Sequence, residues 1–548
     1  MNTRAAVLAV AAGIALADGS IVTLALPQII NDLNTTIEGV AAVIGLYTLV
    51  IAVAVLPLER LASRSSVRLV GAGGFGLLAA SSAVCAASHS LALLLVARGA
   101  QGLGGAAALA TAFELLEASR ERGRALWVWT AVFATAVGPA LGGALTQAFS
   151  WRAIFVFQVP IAAAGATAVL TGPARAPDVV TAPEERERFD LRPTLALGLV
   201  SAALSAVLFL LVLLLIAGWN ERPLAAAGAV TIIPVAALAG ARIGGDQQIR
   251  AIAGSALVGG GVLALAWLPT ASLWWTVAPQ LLAGIGMGLA LTALGGGLLP
   301  ERTPRDAARV LTIRFAGIAA ILAFAAPIAT HELKVATFKA QEQGVALILD
   351  SQLPPLDKLK LAPAWLKGVQ SDQPRNGLRQ AVAQQRARFK GADLVTYDKL
   401  GRRADETLIN AVGNAFRSTF VIAGVAGFLG ALLLLAGIRL ATLAVAAALA
   451  AGVPVLYGVL YATVAPKPPA IVNPCTAHRK LPNAGGVTGA LQRQLLTLLD
   501  RTACRLGSSR EELVLALANP QDAARFQREH GVDPRKLGGL LKALIGGG

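Results

Sequence analysis

An all-α integral membrane protein is predicted: a six-plus-six helix bundle with a thirteenth span and two small helical extracytoplasmic segments. Three observations predict it. The 548 residues are 55% hydrophobic and only 14% charged, with a mean hydropathy of +0.65, where ordinary soluble domains carry about 25% charged residues. Apolar runs recur along the chain, each near the ~20 residues that cross about 30 Å of hydrocarbon. Arginine clusters fall in every second connection between those runs. Side chains this apolar cannot all hide in one water-soluble core, but lipid satisfies them if the backbone closes its own hydrogen bonds in helices. A pI near 10.5 suits a nucleic-acid binder, yet the charge is distributed between spans, so no nucleic-acid partner is expected.

The runs lie at roughly 4–26, 40–57, 69–87, 91–115, 125–147 and 152–171 in a first half, residues 1–171. After a charged connection at 172–193 they resume at 194–218, 223–241, 251–269, 274–298 and 309–331. A polar stretch at 332–417 precedes the run at 418–437, so 194–331 and 418–437 form the second six-helix half. The last run, 440–462, is an extra span ahead of a tail at 463–548. The first run is too long for a cleaved leader, carries an acid and lacks a small-residue cleavage site, so it is expected to remain as a span. Two comparable halves are a common transporter plan, with the binding site near the midplane.

Orientation follows from arginine. Alternate connections carry Arg60, Arg64 and Arg68; Arg120, Arg122 and Arg124; Arg175, Arg186, Arg188 and Arg192; Arg242 and Arg250; and Arg302, Arg305 and Arg309. The short connections between them offer Arg152 and Arg222. Positive-inside bias places the Arg-rich set and the N-terminus in the cytoplasm of a cell-membrane protein, with 332–417 and the tail outside.

Asp18 is the one acid inside the first run. A carboxylate at bilayer depth costs about 2.5 kcal/mol or more on insertion scales, so it tends to face a bundle interior or an aqueous cavity. It is read as a proton or substrate site, against the plainer reading of an acid hydrogen-bonded at a helix contact. Arg98, early in the fourth run, needs a counter-charge, carbonyls or water, or else snorkels to the headgroups. Gly138, Gly142 and Gly143 permit close helix packing, while Pro139 removes a backbone donor and permits a kink.

These residues fall in motifs that resemble the major facilitator superfamily, in particular its 14-span drug:proton antiporters. Asp18-Gly19-Ser20-Ile21-Val22-Thr23-Leu24-Ala25-Leu26-Pro27 is similar to that group's helix-1 signature. Arg98-Gly99-Ala100-Gln101-Gly102-Leu103-Gly104 matches its helix-4 motif, Arg-x-x-Gln-Gly-x-Gly. Gly138-Pro139-Ala140-Leu141-Gly142-Gly143 matches the helix-5 antiporter motif, followed by Trp151-Arg152 and Phe155. The resemblance covers about residues 1–330. It implies proton coupling through Asp18 with Arg98 as electrostatic partner, and export through a bundle that rocks at the Gly138–Gly143 motif. Asp18→Asn is then expected to abolish coupling at little cost in stability.

The chain departs from the family between helices 2 and 3, where a loop of the form Gly-x-Leu-Ala-Asp-Arg-x-Gly-Arg-Arg latches the halves. Here Glu59-Arg60-Leu61-Ala62-Ser63-Arg64-Ser65-Ser66-Val67-Arg68 has Ser63 in place of the acid and Glu59 and Ser66 in place of the glycines. The second half is poor in buried charge: Arg314 is expected to snorkel or pair at a helix end. Gln280, Thr292, Thr231, Ser201 and Ser205 line a cavity or bond their own helices.

The outer segments read as helical. Leu408, Val412 and Phe416 form a stripe leading into the span at 418. In the tail, Ser509-Arg510-Glu511-Glu512 is a capping box, and Asn519-Pro520 and Asp533-Pro534 each set a cap before a helix-starting proline. Cys475 and Cys504 fall in this tail, with Cys85 alone in the third run; outside the cell they are expected to form a disulfide. A zinc site from Cys475, His478, Cys504 and His530 fits structural-zinc spacings poorly. No catalytic constellation or phosphate loop is present, so no enzyme activity, metal or cofactor is expected. The expected function is proton-coupled export of a small amphiphilic or lipid-like molecule. The alternative is a non-transporting scaffold whose tail binds a cell-envelope protein.

Overall fold

The computed structural model describes residues 3–117, 123–171, 190–299, 303–369, 374–438, 440–476 and 486–536. The connection at 172–193 lies outside them up to residue 189, as do Arg120, Arg122, Arg175, Arg186, Arg188, Arg302 and His478. Every regular element among the described residues is a helix.

The chain divides into two compact units. The first comprises Met1–Ala217, Glu221–His331 and Phe416–Thr463. It opens with α1 (Thr3–Thr23), α2 (Leu26–Asp32), α3 (Ile37–Arg64), α4 (Val67–Ala86), α5 (Leu91–Glu117), α6 (Gly123–Ala148) and α7 (Arg152–Leu170). It continues with α8 (Leu191–Leu213), α9 (Pro223–Val230), α10 (Ile232–Ala241), α11 (Gln247–Ala264), α12 (Leu273–Ala293) and the membrane part of α13 (Pro304–Asp350). Beyond α14 (Pro355–Val369), α15 (Pro374–Arg386) and α16 (Gly391–Ala415) of the second unit, α17 (Arg417–Leu433) and α18 (Ala444–Val464) supply the last two spans. Among the described residues twelve helical stretches are long and apolar enough to cross a membrane; the 26-residue α6 occupies the remaining predicted run.

Local chemistry sets the boundaries. The first run is two helices, not one: α1 stops at Leu24–Ala25 and Pro27 falls in the first turn of α2, where its missing N–H is not needed. Thr36, Ser66, Asp190 and Asp246 cap α3, α4, α8 and α11 by accepting from backbone N–H groups of the first turn. Small residues then bring helices together in place of a hydrophobic driving force that lipid cannot supply. A Cβ on Gly104 of α5 would lie 2.6 Å from the Leu78 backbone nitrogen of α4. Ala307, Ala308, Leu311 and Phe315 of α13 join the cluster of Tyr47, Phe75, Phe113 and Trp127 in the first half.

The second unit comprises Gly218–Asn220, Glu332–Ala415 and Val464–Gly548. The two outer segments, separate in sequence, thus belong to one body. Val345 of α13, Leu366 of α14 and Leu515 of the tail share a core, and buried Arg510 pairs with Asp350 (2.9 Å) and Glu511 (3.0 Å). The tail helices are α19 (Gly486–Arg505), α20 (Arg510–Ala518) and α21 (Pro520–His530). Ser509 accepts from the Glu512 N–H at 3.0 Å and Asn519 from the Gln521 N–H at 3.0 Å, as their sequence contexts imply. Asp533 accepts from the Arg535 N–H, and the rest of that predicted helix falls outside the described residues. Cys475 and Cys504 are joined in a disulfide with a Cα–Cα distance of 5.0 Å, which leaves no thiolate for zinc. His530 lies 3.1 Å from Glu512 instead.

Candidate functional site

Five helices of the first half, α1, α3, α4, α5 and α7, bring polar side chains to one buried point. Asp18 on α1 is 1% exposed and Arg98 on α5 is 0% exposed. Asp18 Oδ2 and Arg98 Nη2 are 2.6 Å apart, as an ion pair and not an aligned hydrogen bond. Snorkelling of Arg98 is thereby excluded.

The helix-4 motif makes this geometry. Arg98 and Gln101 are three apart, hence on one face of α5. Gly102 lets that face press on α3, where a Cβ would lie 2.9 Å from both the Tyr47 carbonyl and Val50 Cβ. Arg98 Nε consequently reaches the Val43 carbonyl at 2.9 Å, and Nη1 donates to Gln101 Oε1 at 2.6 Å. The guanidinium lies 4.4 Å from the centroid of the Tyr47 ring, whose hydroxyl donates to the Ala15 carbonyl at 2.7 Å. Gln101 Nε2 donates to Ser82 Oγ (2.9 Å) and Gln158 Oε1 (2.7 Å), and Gln158 Nε2 donates to Asp18 Oδ1 at 2.8 Å. A buried charge pair is tolerable only when its remaining donors and acceptors are served, which these contacts do.

Gln158, Ser82 and Tyr47 were not anticipated from sequence. The one signal was an amide in the otherwise apolar Ala153-Ile154-Phe155-Val156-Phe157-Gln158-Val159-Pro160 of α7.

The helix-5 motif lies against the same stretch of α1. A Cβ on Gly138 would meet Ser20 Cβ at 2.9 Å, and one on Gly142 would collide with the Ile21 carbonyl. Gly143 faces Ala227 and the Pro223 carbonyl of α9, in the second half. Buried Pro139 sits within α6. The ends of α6 and α7 are pinned to α2: Gln28 donates to the Thr146 carbonyl and accepts from the Trp151 N–H, and Trp151 Nε1 donates to Asp32 at 2.9 Å.

At the degenerate loop, α3 runs on through Arg64, and Ser63 Oγ turns back to the Arg60 carbonyl. Glu59 is 8% exposed, with Arg305 and Arg309 of α13 among the charges around it. In the second half the hydroxyls of Thr231 and Thr292 bond their own helices, and Gln280 donates to Thr276. These residues do not join the Asp18 cluster.

The family profile of the Major Facilitator Superfamily matches residues 8–330. The chain belongs to the Major Facilitator Superfamily. That is a family of membrane transporters, not enzymes. Multidrug resistance protein Stp of Mycobacterium tuberculosis is 35% identical over 173 residues, 30% of this chain and 32% of the relative. The methylenomycin A resistance protein of Streptomyces coelicolor is 32% identical over 241 residues, 42% of this chain and 49% of the relative. The matches therefore span half or less of these relatives' lengths. The crystal structure of a bacterial homologue of the human lysosomal transporter Spinster superposes with a TM-score of 0.52 at 13% identity, covering 79% of this chain and 97% of that one. This likeness establishes the fold alone.

Proposed function

We propose that this superfamily member is a proton-coupled antiporter of the cell membrane that exports a small amphiphilic or lipid-like molecule. The observation that carries the reading is the fully buried Asp18–Arg98 pair inside the first half of a transporter fold. A carboxylate there takes up a proton only by giving up its attraction to Arg98, so protonation state and helix contact are linked. The Gly138–Gly143 face supports the mechanical part, since it seats α6 flush against α1 beside Asp18 and against α9 in the other half. Export is supported by relatives named for multidrug and antibiotic resistance.

The test is flux in proteoliposomes under an imposed proton gradient, over a panel of amphiphilic cations, dyes and lipid analogues. Wild type is expected to move at least one of them, and Asp18→Asn none, at matched protein incorporation. Equal flux from the two removes Asp18 from the mechanism. A second reading, a non-transporting scaffold whose outer unit binds an envelope protein, is favoured by Ser63 at the position of the latch acid. No flux from either protein across the panel would support it.

A further inference from the structure

The Arg98–Asp18 contact is one edge of a closed ring of four buried side chains, and the ring has a direction. A guanidinium only donates. Arg98 Nη1 therefore fixes the Gln101 amide with its oxygen toward Arg98, which turns the Gln101 NH2 toward Gln158. Gln158 in turn must present its oxygen to Gln101 and its NH2 to Asp18 Oδ1. Followed from Arg98 through Gln101 and Gln158, each group donates to the next and the path ends on Asp18 Oδ1, while the direct edge from Arg98 to Asp18 Oδ2 is the ion pair. Asp18 accepts the Gln158 N–H on Oδ1 and faces the Arg98 cation with Oδ2, an arrangement that fits the carboxylate; a carboxyl proton would compete with the N–H at Oδ1 or with the cation beside Oδ2.

We propose that Gln158 is the positioning residue of this proton site. Its amide, oriented by Arg98 through Gln101, holds Asp18 in the carboxylate form. Proton uptake converts the carboxylate to the neutral acid while Arg98 keeps its own proton, so the links from Gln158 and from Arg98 weaken together. Arg98 and Gln101 remain bonded within α5, and the Gln158 amide remains in reach of Ser82, with Ser82 Oγ 3.2 Å from Gln158 Oε1. The break therefore falls on one side only: α1 is released from α5 and α7 at once. This rests on Asp18 as the proton-carrying group.

The competing role for Gln158 is plain helix-to-helix glue, and an infrared pH titration separates the two without any substrate. The full-length protein in lipid nanodiscs is titrated while the carboxylic-acid C=O signal that Asp18→Asn removes is followed. Gln158→Leu is expected to move its midpoint to higher pH by about one unit or more, a tenfold change in proton affinity or greater, because a donor to the charged form is lost. Gln158→Asn keeps an amide in the contact but draws the NH2 back by one methylene, so it is expected to move the midpoint the same way in a protein that packs normally. Gln101→Leu is expected to shift it in that direction too, and the Gln101→Leu/Gln158→Leu double variant by less than the sum, since Gln101 orients Gln158. A signal lost in Asp18→Asn but unmoved in both Gln158 variants overturns the positioning role and leaves Asp18 as the proton carrier. A signal that persists in Asp18→Asn overturns both readings.

Discussion

A guanidinium with no exposed surface changes what a substitution at Asp18 costs. From sequence, Asp18→Asn is expected to be nearly neutral for stability, since an amide is cheaper to bury than a carboxylate. With Arg98 0% exposed and facing that carboxylate, the substitution instead strands a buried charge, an effect of about 3–5 kcal/mol. Asp18→Asn is therefore expected to lower the thermal unfolding temperature in detergent, and Asp18→Asn/Arg98→Gln to recover much of the loss. A double variant no more stable than the single one would mean that the pair contributes no such charge compensation. Arg98→Ala strands Asp18 instead, so the pH optimum of flux is expected to move upward, because losing a nearby positive charge favours protonation of a carboxylate; an unchanged profile would remove Arg98 from the coupling. Asp18 and Arg98 were legible because any charge in an apolar run demands a partner. Ser82 and Gln158 were not, because uncharged polar residues in spans commonly bond their own backbone. Ser81 does so, donating to the Leu77 carbonyl, while its neighbour Ser82 also meets the Gln101 amide. Which of two adjacent serines joins a network depends on helical phase, and composition does not carry it.

Helix contacts in this bundle depend on which glycines face a neighbour. Gly142 of α6 meets the Ile21 carbonyl of α1, whereas a Cβ on Gly73 of α4 would have nothing within 4 Å. Gly142→Ala is accordingly expected to push α1 and α6 apart at a cost of about 1–3 kcal/mol. Gly73→Ala is expected to be neutral or stabilising by up to about 1 kcal/mol through helix propensity. Thermal unfolding of the two variants side by side checks this; equal losses would mean that glycine itself, and not its contact, matters. Helix limits were largely readable, from Thr36, Ser66, Asp190 and Asp246 as caps and from Pro27 as a starter. The length of α13 was not: apolarity ends near residue 331, but no proline or cap interrupts the backbone until past Asp350. Hydropathy marks where lipid is needed, not where a helix stops.

Across the whole molecule, topology is constrained by the second unit before any charge rule is applied. Residues 332–415 and 464–536 share a core and the Asp350–Arg510 pair, so both must lie on one side of the membrane. The two spans between them, α17 and α18, return the chain to that side, as parity requires. The sequence suggested two separate outer segments because their shared core joins residues as far apart as Val345 and Leu515, a pairing that no local pattern encodes. From the arginine asymmetry we propose that this side is the outer one, an oxidising compartment in which the Cys475–Cys504 bond would persist. A closed loop of this size, with a sequence separation of 29, contributes about 3–4 kcal/mol on the chain-entropy account. On intact cells, a membrane-impermeant maleimide is expected to leave the protein unlabelled until a reductant is added, and then to label it at two sites. Cys85, buried within α4, should stay unlabelled throughout and serves as the internal control. Labelling without reduction would refute the disulfide. A reporter at Gly548 that works only in the cytoplasm would refute the orientation, while leaving intact the requirement that both parts of the second unit share one side.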